Sequence, residues 1–125
     1  MEDILKIGRD FVQAMQQLEG LSQVDSVYHE NAQSVEAVIP PGRDSRVTKG
    51  KVAIKGKRED WARTHTINTI EADGPYIHPP NRFAVRFTAD VTQKTTGKRL
   101  KLREVAIYSV DDGKISKEEF FMYPR

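Results

Sequence analysis

The sequence predicts an α+β fold in which helices pack against a curved, mostly antiparallel sheet. Residues 83–91 alternate apolar and polar side chains with a period of two, as in a strand with one buried face. Two further extended runs follow, separated by short turns that end at Gly97 and Gly113. An apolar stripe at helical spacing opens the chain. These three observations predict a single domain over residues 1–125, with its helices in the N-terminal half.

Three helices are predicted before the C-terminal strands. Apolar side chains recur every three or four residues from Ile4 to Leu18, which indicates a first helix from about residue 3 to about residue 19. Gly20 is placed where a glycine typically closes a helix. A short second helix is predicted to begin near Ser22. A third is expected from about Lys51 to about Arg63.

The remaining segments are predicted to be strands and loops. Residues 32–39 indicate a first strand that ends at Pro40, and residues 43–50 indicate a polar loop. Residues 66–77 predict another strand, bent at Gly74. The predicted order is therefore helix, helix, strand, helix and four antiparallel strands. Such a sheet, wrapped over the long first helix, would enclose a conical cavity.

Composition excludes several classes of function. Twenty basic and eighteen acidic residues give a net charge of +2, which argues against a nucleic-acid partner. The chain has no cysteine and no apolar run of the roughly 18 residues that span a membrane, so we expect a cytoplasmic protein. His29, His65 and His78 do not have the spacing of a ligand set, and no cofactor motif is present. We therefore expect neither metal nor cofactor.

Three stretches resemble a known family: YHENAQSVEAVIPP, GKVAIKGKREDW and EVAIYSVDDGKISKEEFFMY. Together with the order of elements, they resemble the SnoaL-like branch of the nuclear transport factor 2-like superfamily, over nearly the whole chain. The resemblance implies a cystatin-like cone, commonly dimerised through the outer face of its sheet. Such proteins include polyketide cyclases, ketosteroid isomerases, epoxide hydrolases and dehydratases, together with many proteins that have no chemistry, so function follows only loosely.

The last hairpin decides which side chains face the cone. We interpret Asp111–Gly113 as a three-residue turn with a G1 bulge, which sets Ala106 opposite Glu118. The resemblance favours one face as the inner one, and the other face would then form a homodimer interface. The inner set is Leu102, Glu104, Ala106, Tyr108, Ser116, Glu118, Phe120 and Met122. The outer set is Val105, Ile107, Ile115, Lys117, Phe121 and Tyr123.

Three carboxylates are candidate catalytic residues. Glu104 and Glu118 are predicted to be diagonal neighbours on the inner face. By resemblance, Glu36 occupies the position at which ketosteroid isomerases place their base. A carboxylate in an apolar pocket has a raised pKa and can act as a general acid or base near neutral pH. The alternative is that a register change of one residue turns Glu104 and Glu118 towards solvent, where they form surface ion pairs.

Apolar side chains are predicted to wall the cavity, and Trp61 alternatively only packs the third helix against the sheet. The candidate ligand-binding residues are Phe11, Met15, Trp61, Phe87, Tyr108, Phe120 and Met122. The resemblance also argues against steroid isomerisation. Phe11 and Ala106 stand where ketosteroid isomerases carry the tyrosine and aspartic acid of their oxyanion hole, and neither side chain can donate a hydrogen bond.

These observations predict a cavity for a small, largely apolar molecule. The resemblance implies chemistry without a cofactor, of an isomerase, cyclase, dehydratase or hydrolase type. A non-catalytic ligand-binding or dimerisation module is the alternative, and the sequence leaves open whether the protein is an enzyme. Residues 43–58 are rich in lysine and arginine, which we interpret as a solvated surface rather than a site for a phosphate-bearing partner.

Overall fold

The computed structural model describes residues 2–123 and confirms the predicted α+β cone, with three helices and a curved six-stranded sheet. The helices are α1 (Glu2–Gln16), α2 (Gly20–Val27) and α3 (Lys51–Thr64). The strands are β1 (Tyr28–Val35), β2 (Val47–Lys49), β3 (His65–His78), β4 (Arg82–Gln93), β5 (Arg99–Asp111) and β6 (Lys114–Met122).

The six strands form one open sheet in the order β2-β1-β6-β5-β4-β3. All neighbouring strands are antiparallel except β1 and β6, which run parallel. Helix α1 packs against β3 and helix α3 packs against β1, so the helices cover one face at opposite ends of the sheet. Within residues 2–123, no helix is long and apolar enough to span a membrane.

Helix α1 ends earlier than its apolar pattern predicts. Its last residue is Gln16, and Gly20 begins α2 instead of closing α1. The residue that closes α1 in the left-handed conformation is Leu18, with a φ of 61°. The amides of Leu18 and Glu19 donate to the carbonyls of Met15 and Ala14, at 3.1 and 2.8 Å. These two bonds form a Schellman motif whose left-handed residue is a leucine in place of the usual glycine.

The first two strands also differ from the prediction. Strand β1 starts at Tyr28, directly after α2, and ends at Val35, so Glu36 lies just beyond it. The predicted polar loop contains strand β2, in which Val47 pairs with Val35. A three-residue strand gains its hydrogen bonds from the edge of β1, and such pairing between separate segments leaves little trace in local sequence.

The last hairpin is tighter than predicted. Asp111 pairs directly with Lys114, which leaves a two-residue loop of Asp112 and Gly113. Both loop residues have positive φ, at 52° and 75°, as a type I′ turn requires. A register shift follows, because Val110 pairs with Ile115 but Ser109 pairs with Lys117. Ser116 is therefore the extra residue of a β-bulge.

This bulge corrects two predictions: that Ile115 lies on the outer face, and that Glu104 is a diagonal neighbour of Glu118. Ile115 lies fully buried in the core and not on the outer face, because the bulge reverses the alternation at this point of β6. Beyond the bulge, Glu118 pairs with Tyr108, and Glu104 pairs with Met122. Glu118 thus stays on the inner face, but the predicted diagonal contact between Glu104 and Glu118 is wrong.

The centre of the cone is filled by aromatic rings. Phe11 of α1 contacts Phe83 and Tyr108 of the sheet, with ring centroids 6.0 and 4.6 Å apart. The Phe83 and Tyr108 rings stack at 5.0 Å, and Tyr28 lies 6.5 Å from Phe11. All four residues are at most 1% exposed. The space in which we predicted a conical cavity is therefore largely occupied by the chain's own side chains.

Candidate functional site

A buried carboxylate lies where β1 and β6 run side by side. Glu118 of β6 is completely inaccessible to solvent and pairs across the ladder with Ser34 of β1. The Ser34 hydroxyl donates to Glu118 Oε2 at 2.6 Å, and the Tyr28 hydroxyl donates to Glu118 Oε1. Because both hydroxyls come from one strand, the parallel pairing of β1 and β6 brings these three groups together.

Arg58 of α3 neutralises this carboxylate. Its guanidinium donates to both oxygens of Glu118, and its Nη1 donates to the Tyr28 hydroxyl at 3.3 Å. Arg58 reaches inward because it follows the fully buried Ile54 by one helical turn, on the same face of α3. Burial alone would lower the pKa of Arg58, but Tyr28 and Glu118 outweigh it and hold that pKa above its usual range. The guanidinium therefore stays charged.

The tyrosines around this ion pair remain protonated. Burial is the main cause that raises the pKa of the Tyr28 hydroxyl well above 10, and the nearby Glu118 charge adds to it. The pKa of Tyr108 is raised in the same direction, again chiefly by burial. Tyr28 consequently acts as a hydrogen-bond donor to Glu118 at all physiological pH values.

A second ion pair extends the hydrogen bonds towards the surface. The Lys57 ammonium donates to Ser34 Oγ at 2.8 Å and to Glu36 Oε1 at 2.5 Å. Ser34 gives its single proton to Glu118 and therefore accepts from Lys57. The ammonium has three N–H donors, so two are engaged and one remains. Tyr28, Glu118, Ser34, Lys57 and Glu36 form one continuous chain of hydrogen bonds.

Glu104 differs from the other two candidate carboxylates. Burial raises its pKa above the ordinary 4.5, and the charges of Glu36 and Glu118 raise it further. Across residues 2–123, no side-chain hydrogen bond or ion pair engages its carboxylate. Glu36 and Glu118 are each held by a cation, Lys57 and Arg58 respectively. Glu104 is thus the candidate whose affinity for a proton is raised by burial and whose carboxyl has no side-chain partner among the described residues.

An open depression of about 310 Å³ lies where β1 and β6 end. One wall is apolar, and its rim carries charged side chains. Glu36, Phe120 and Met122 are the candidate site residues among those that line it. The complete lining is Val35, Glu36, Ala37, Arg46, Glu119, Phe120, Phe121 and Met122.

The structure separates the remaining candidate ligand-binding residues. Phe11 and Tyr108 belong to the central aromatic cluster, Phe87 is buried beside it, and Met15 packs against the core. Trp61 is surface-exposed and outside the lining of the depression. Its ring stacks on His65, one turn later, with centroids 4.4 Å apart and an interplanar angle of 2°. The aromatic wall predicted around one cavity is therefore divided between the core and the surface.

Four residues of the network were not singled out from sequence: Tyr28, Ser34, Lys57 and Arg58. The basic segment was interpreted as solvated, which is wrong for Lys57 and Arg58, since only 19% of each side chain is exposed. The usable signal was their spacing of three and four residues from Ile54, which places both near the buried face of α3. Within residues 2–123, no group of three or more metal-ligating side chains occurs.

Comparisons with known proteins agree with this architecture. The family model of the SnoaL-like domain matches residues 3–122. A crystal structure from Mesorhizobium loti, provisionally assigned as a SnoaL-like polyketide cyclase, is 33% identical with a TM-score of 0.85, covering 93% of this chain and 96% of that one. No curated protein matches the chain significantly.

More distant structures share the fold alone. A provisionally assigned isomerase from Bacillus subtilis is 20% identical with a TM-score of 0.77, over 98% of this chain and 88% of its own. A computationally designed 17-OHP binder is 14% identical with a TM-score of 0.75, over 97% and 93% of the two chains. From the family-model match and the 33% identical relative, we conclude that this chain belongs to the SnoaL-like domain family.

Proposed function

We propose that the depression binds a small, largely apolar molecule and that Glu104 transfers a proton to or from it. One observation carries the proposal: the Glu104 carboxyl is mostly removed from water, has a raised pKa and is not engaged by any side chain of residues 2–123. A carboxyl in such surroundings binds a proton more tightly than an exposed one, and no cation competes with a ligand for its oxygens.

Glu104 is linked to the depression through two neighbours. It lies directly across the β5–β6 ladder from Met122, which lines the depression. Glu36 lines the same depression, and its charge raises the pKa of Glu104. Glu104 itself does not line the depression, so the proposal requires the reacting end of the molecule to reach past Met122 to the Glu104 carboxyl. The volume is at the lower end of the range for small-molecule sites, which favours a ligand of one or two rings.

Lys57 supplies the complementary group in this proposal. Its third N–H is not used by Ser34 or Glu36 and can donate to an oxygen that becomes negatively charged. The reaction class that fits is removal of a proton next to a carbonyl group. The C–H bond breaks, Glu104 takes the proton, and the electron pair moves to the carbonyl oxygen, where Lys57 stabilises it. Enolate formation is a step shared by isomerases and cyclases, which agrees with the provisional assignment of the 33% identical relative.

Glu118 has a structural role in this proposal. Its carboxylate is completely buried and accepts hydrogen bonds from Arg58, Tyr28 and Ser34. Both of its oxygens are occupied by these donors and neither is open to solvent, so a bound molecule has no access to this carboxylate. We assign it to holding Ser34, and through Ser34 the Lys57 ammonium.

The proposal is tested by deuterium exchange into 2-tetralone, a flat two-ring ketone with acidic protons next to its carbonyl. Proton NMR in D₂O reports loss of the α-proton signals. The wild-type protein is expected to accelerate exchange over buffer, and Glu104→Gln to lose about 10²- to 10⁴-fold of that acceleration. Glu71→Gln is the matched control, because Glu71 is an exposed glutamate on β3, away from the depression. It is expected to exchange at the wild-type rate.

A non-catalytic module is the second candidate, and the filled cone favours it. The Phe11 and Tyr108 rings are only 4.6 Å apart where a deep cavity was expected, so these side chains take up space that a ligand would need. Exchange at the buffer rate in the wild type, or equal rates in wild type and Glu104→Gln, would reject proton transfer by Glu104. Binding of 2-tetralone without exchange would then support a ligand-binding module.

Homodimerisation through the outer face of the sheet stays a prediction. Val105 and Phe121 pair across β5 and β6, and Phe121 is 48% exposed. The alternation along β5 points Val105 and Ile107 away from the buried Ala106 and Tyr108. Light scattering after gel filtration measures the mass directly, and Val105→Lys is expected to convert a dimer to a monomer.

A further inference from the structure

We propose that the natural ligand of the depression is an anion, an apolar ring system that carries a carboxylate, and that Arg46 recognises this carboxylate. The inference deepens the proposed function and rests on the depression being the binding site. The roles proposed for Glu104 and Lys57 do not specify which class of ligand binds or which residue recognises it.

The backbone places Arg46 opposite Glu36. The Glu36 amide donates to the Arg46 carbonyl at 2.9 Å, which extends the antiparallel β1–β2 ladder by one step beyond Val35 and Val47. Residues directly opposite each other in an antiparallel pair project their side chains to the same side. Arg46 and Glu36 accordingly both line the depression.

The expected ion pair between these two residues does not form. The Glu36 carboxylate is taken by Lys57 at 2.5 Å. Glu119, the other acidic residue of the lining, has Lys117 at 3.6 Å. Within the part of the chain from residue 2 to residue 123, no carboxylate oxygen lies within 4.0 Å of the Arg46 guanidinium. Among the side chains of residues 3–123, the depression therefore carries an arginine whose charge no carboxylate matches.

The wall beside this cation is apolar. Phe120 and Met122 alternate at the end of β6, so both project to the same side and line the depression, and Met122 is 64% exposed. A flat hydrocarbon body covers such a wall favourably. A guanidinium binds a carboxylate through two parallel N–H···O bonds, so it fixes orientation as well as charge. The two features together match an aromatic or alicyclic carboxylic acid.

The experiment compares two probes of the same shape, 2-naphthoate and 2-naphthamide, which differ in charge. Their affinities are measured by fluorescence titration or NMR chemical shifts with the whole chain. We expect 2-naphthoate to bind the wild type about three- to tenfold more tightly, because Arg46 is exposed and its ion pair is partly screened. Raising the salt concentration is expected to reduce this preference, and Ala37→Phe, which fills the depression, to abolish binding of both probes.

Arg46→Gln is the decisive variant, and Arg43→Gln is its matched control. Both arginines are exposed and lie in the same connection, but only Arg46 lines the depression. The expected result is that Arg46→Gln binds both probes equally, whereas Arg43→Gln keeps the preference for 2-naphthoate. If Arg46→Gln and Arg43→Gln lose the preference for 2-naphthoate to the same extent, the preference is a general charge effect and the inference is overturned.

Failure of the inference is distinguishable from failure of the proposed site. If 2-naphthamide binds, Ala37→Phe abolishes that binding and 2-naphthoate binds no better, the depression remains a site but its preference for anions is rejected. If neither probe binds the wild type, or if Ala37→Phe changes nothing, the depression is not the site and both proposals fall.

Discussion

The Glu118 carboxylate, which is completely buried, receives hydrogen bonds on both oxygens from the Arg58 guanidinium. The two residues are 60 positions apart in sequence and join helix α3 to strand β6. A buried ion pair adds little net stability over an apolar pair, because both charges lose their hydration. Removing one partner, however, leaves the other charge buried without compensation. The pair therefore fixes where α3 lies on the sheet more than it adds to stability.

Arg58→Met is expected to lower the free energy of unfolding by about 3–5 kcal/mol, since Glu118 would remain buried without its counter-ion. Urea unfolding followed by circular dichroism measures the change. Arg63→Gln, which breaks the exposed pair with Asp60 on the same helix, is expected to cost less than about 1 kcal/mol. In the double variant Arg58→Met, Glu118→Gln, the loss should be smaller than in Arg58→Met alone. Equal losses would contradict an ion-pair origin.

Glu104→Gln is expected to stabilise the protein at neutral pH. Burial raises the pKa of Glu104, so the folded state binds this proton more tightly than the unfolded state. The stabilisation from this group is fully present below the ordinary pKa of 4.5 and is lost as the pH rises through the folded-state pKa. Thermal melts should show a higher Tm for Glu104→Gln than for wild type at pH 7, and convergence below pH 4.5. A difference that does not depend on pH would argue against a buried, titrating carboxyl.

Leu18→Gly is expected to stabilise the protein by roughly 0.5–1 kcal/mol. Leu18 holds a left-handed conformation at 61° that costs a residue with a Cβ about 1–2 kcal/mol, and at 57% exposure it has little packing to lose. Gain of backbone entropy in the unfolded state offsets part of the benefit. The control, Ala53→Gly on the exposed side of α3, should destabilise by about 1 kcal/mol. Chemical denaturation gives both values, and changes of the same sign would contradict the backbone argument.

Ser34→Ala is expected to cost about 1–3 kcal/mol, because Glu118 loses a donor and Lys57 loses an acceptor in a site closed to water. Ser26→Ala, which removes an exposed helical hydroxyl, should change stability by less than about 0.5 kcal/mol. If Ser34 positions Lys57, the variant should also slow 2-tetralone exchange while it binds the probe as tightly as the wild type. A weaker probe affinity with an unchanged rate would instead assign Ser34 to binding.

Local patterns were sufficient to predict most of the architecture. The period-two run of β4 and the apolar stripe of α1 were visible because each reports burial on one face of a regular element. The same alternation places Phe83, Phe87 and Ala89 on one face of β4, and all three are buried. Glu104 and Glu118 were selected from the predicted hairpin register and Glu36 from the resemblance to ketosteroid isomerases.

The site itself depended on contacts between distant segments. Asp112 and Gly113 close a two-residue turn, and the bulge at Ser116 then shifts the register, which moved Glu118 from Ala106 to Tyr108. The basic segment that contains Arg58 was interpreted as a solvated surface, because a run of basic residues does not show which of them has a buried counter-ion.

By itself the sequence determined the α+β class, the helices and the four-stranded meander, because hydrophobic periodicity depends only on neighbours along the chain. Only the tertiary structure decided which charges pair. Arg58 pairs with Glu118 and Lys57 pairs with Glu36, whereas neither cation forms an ion pair with Glu104. The physical reason is that a charge interacts according to its distance and burial, and the fold sets both by bringing α3, β1, β5 and β6 together.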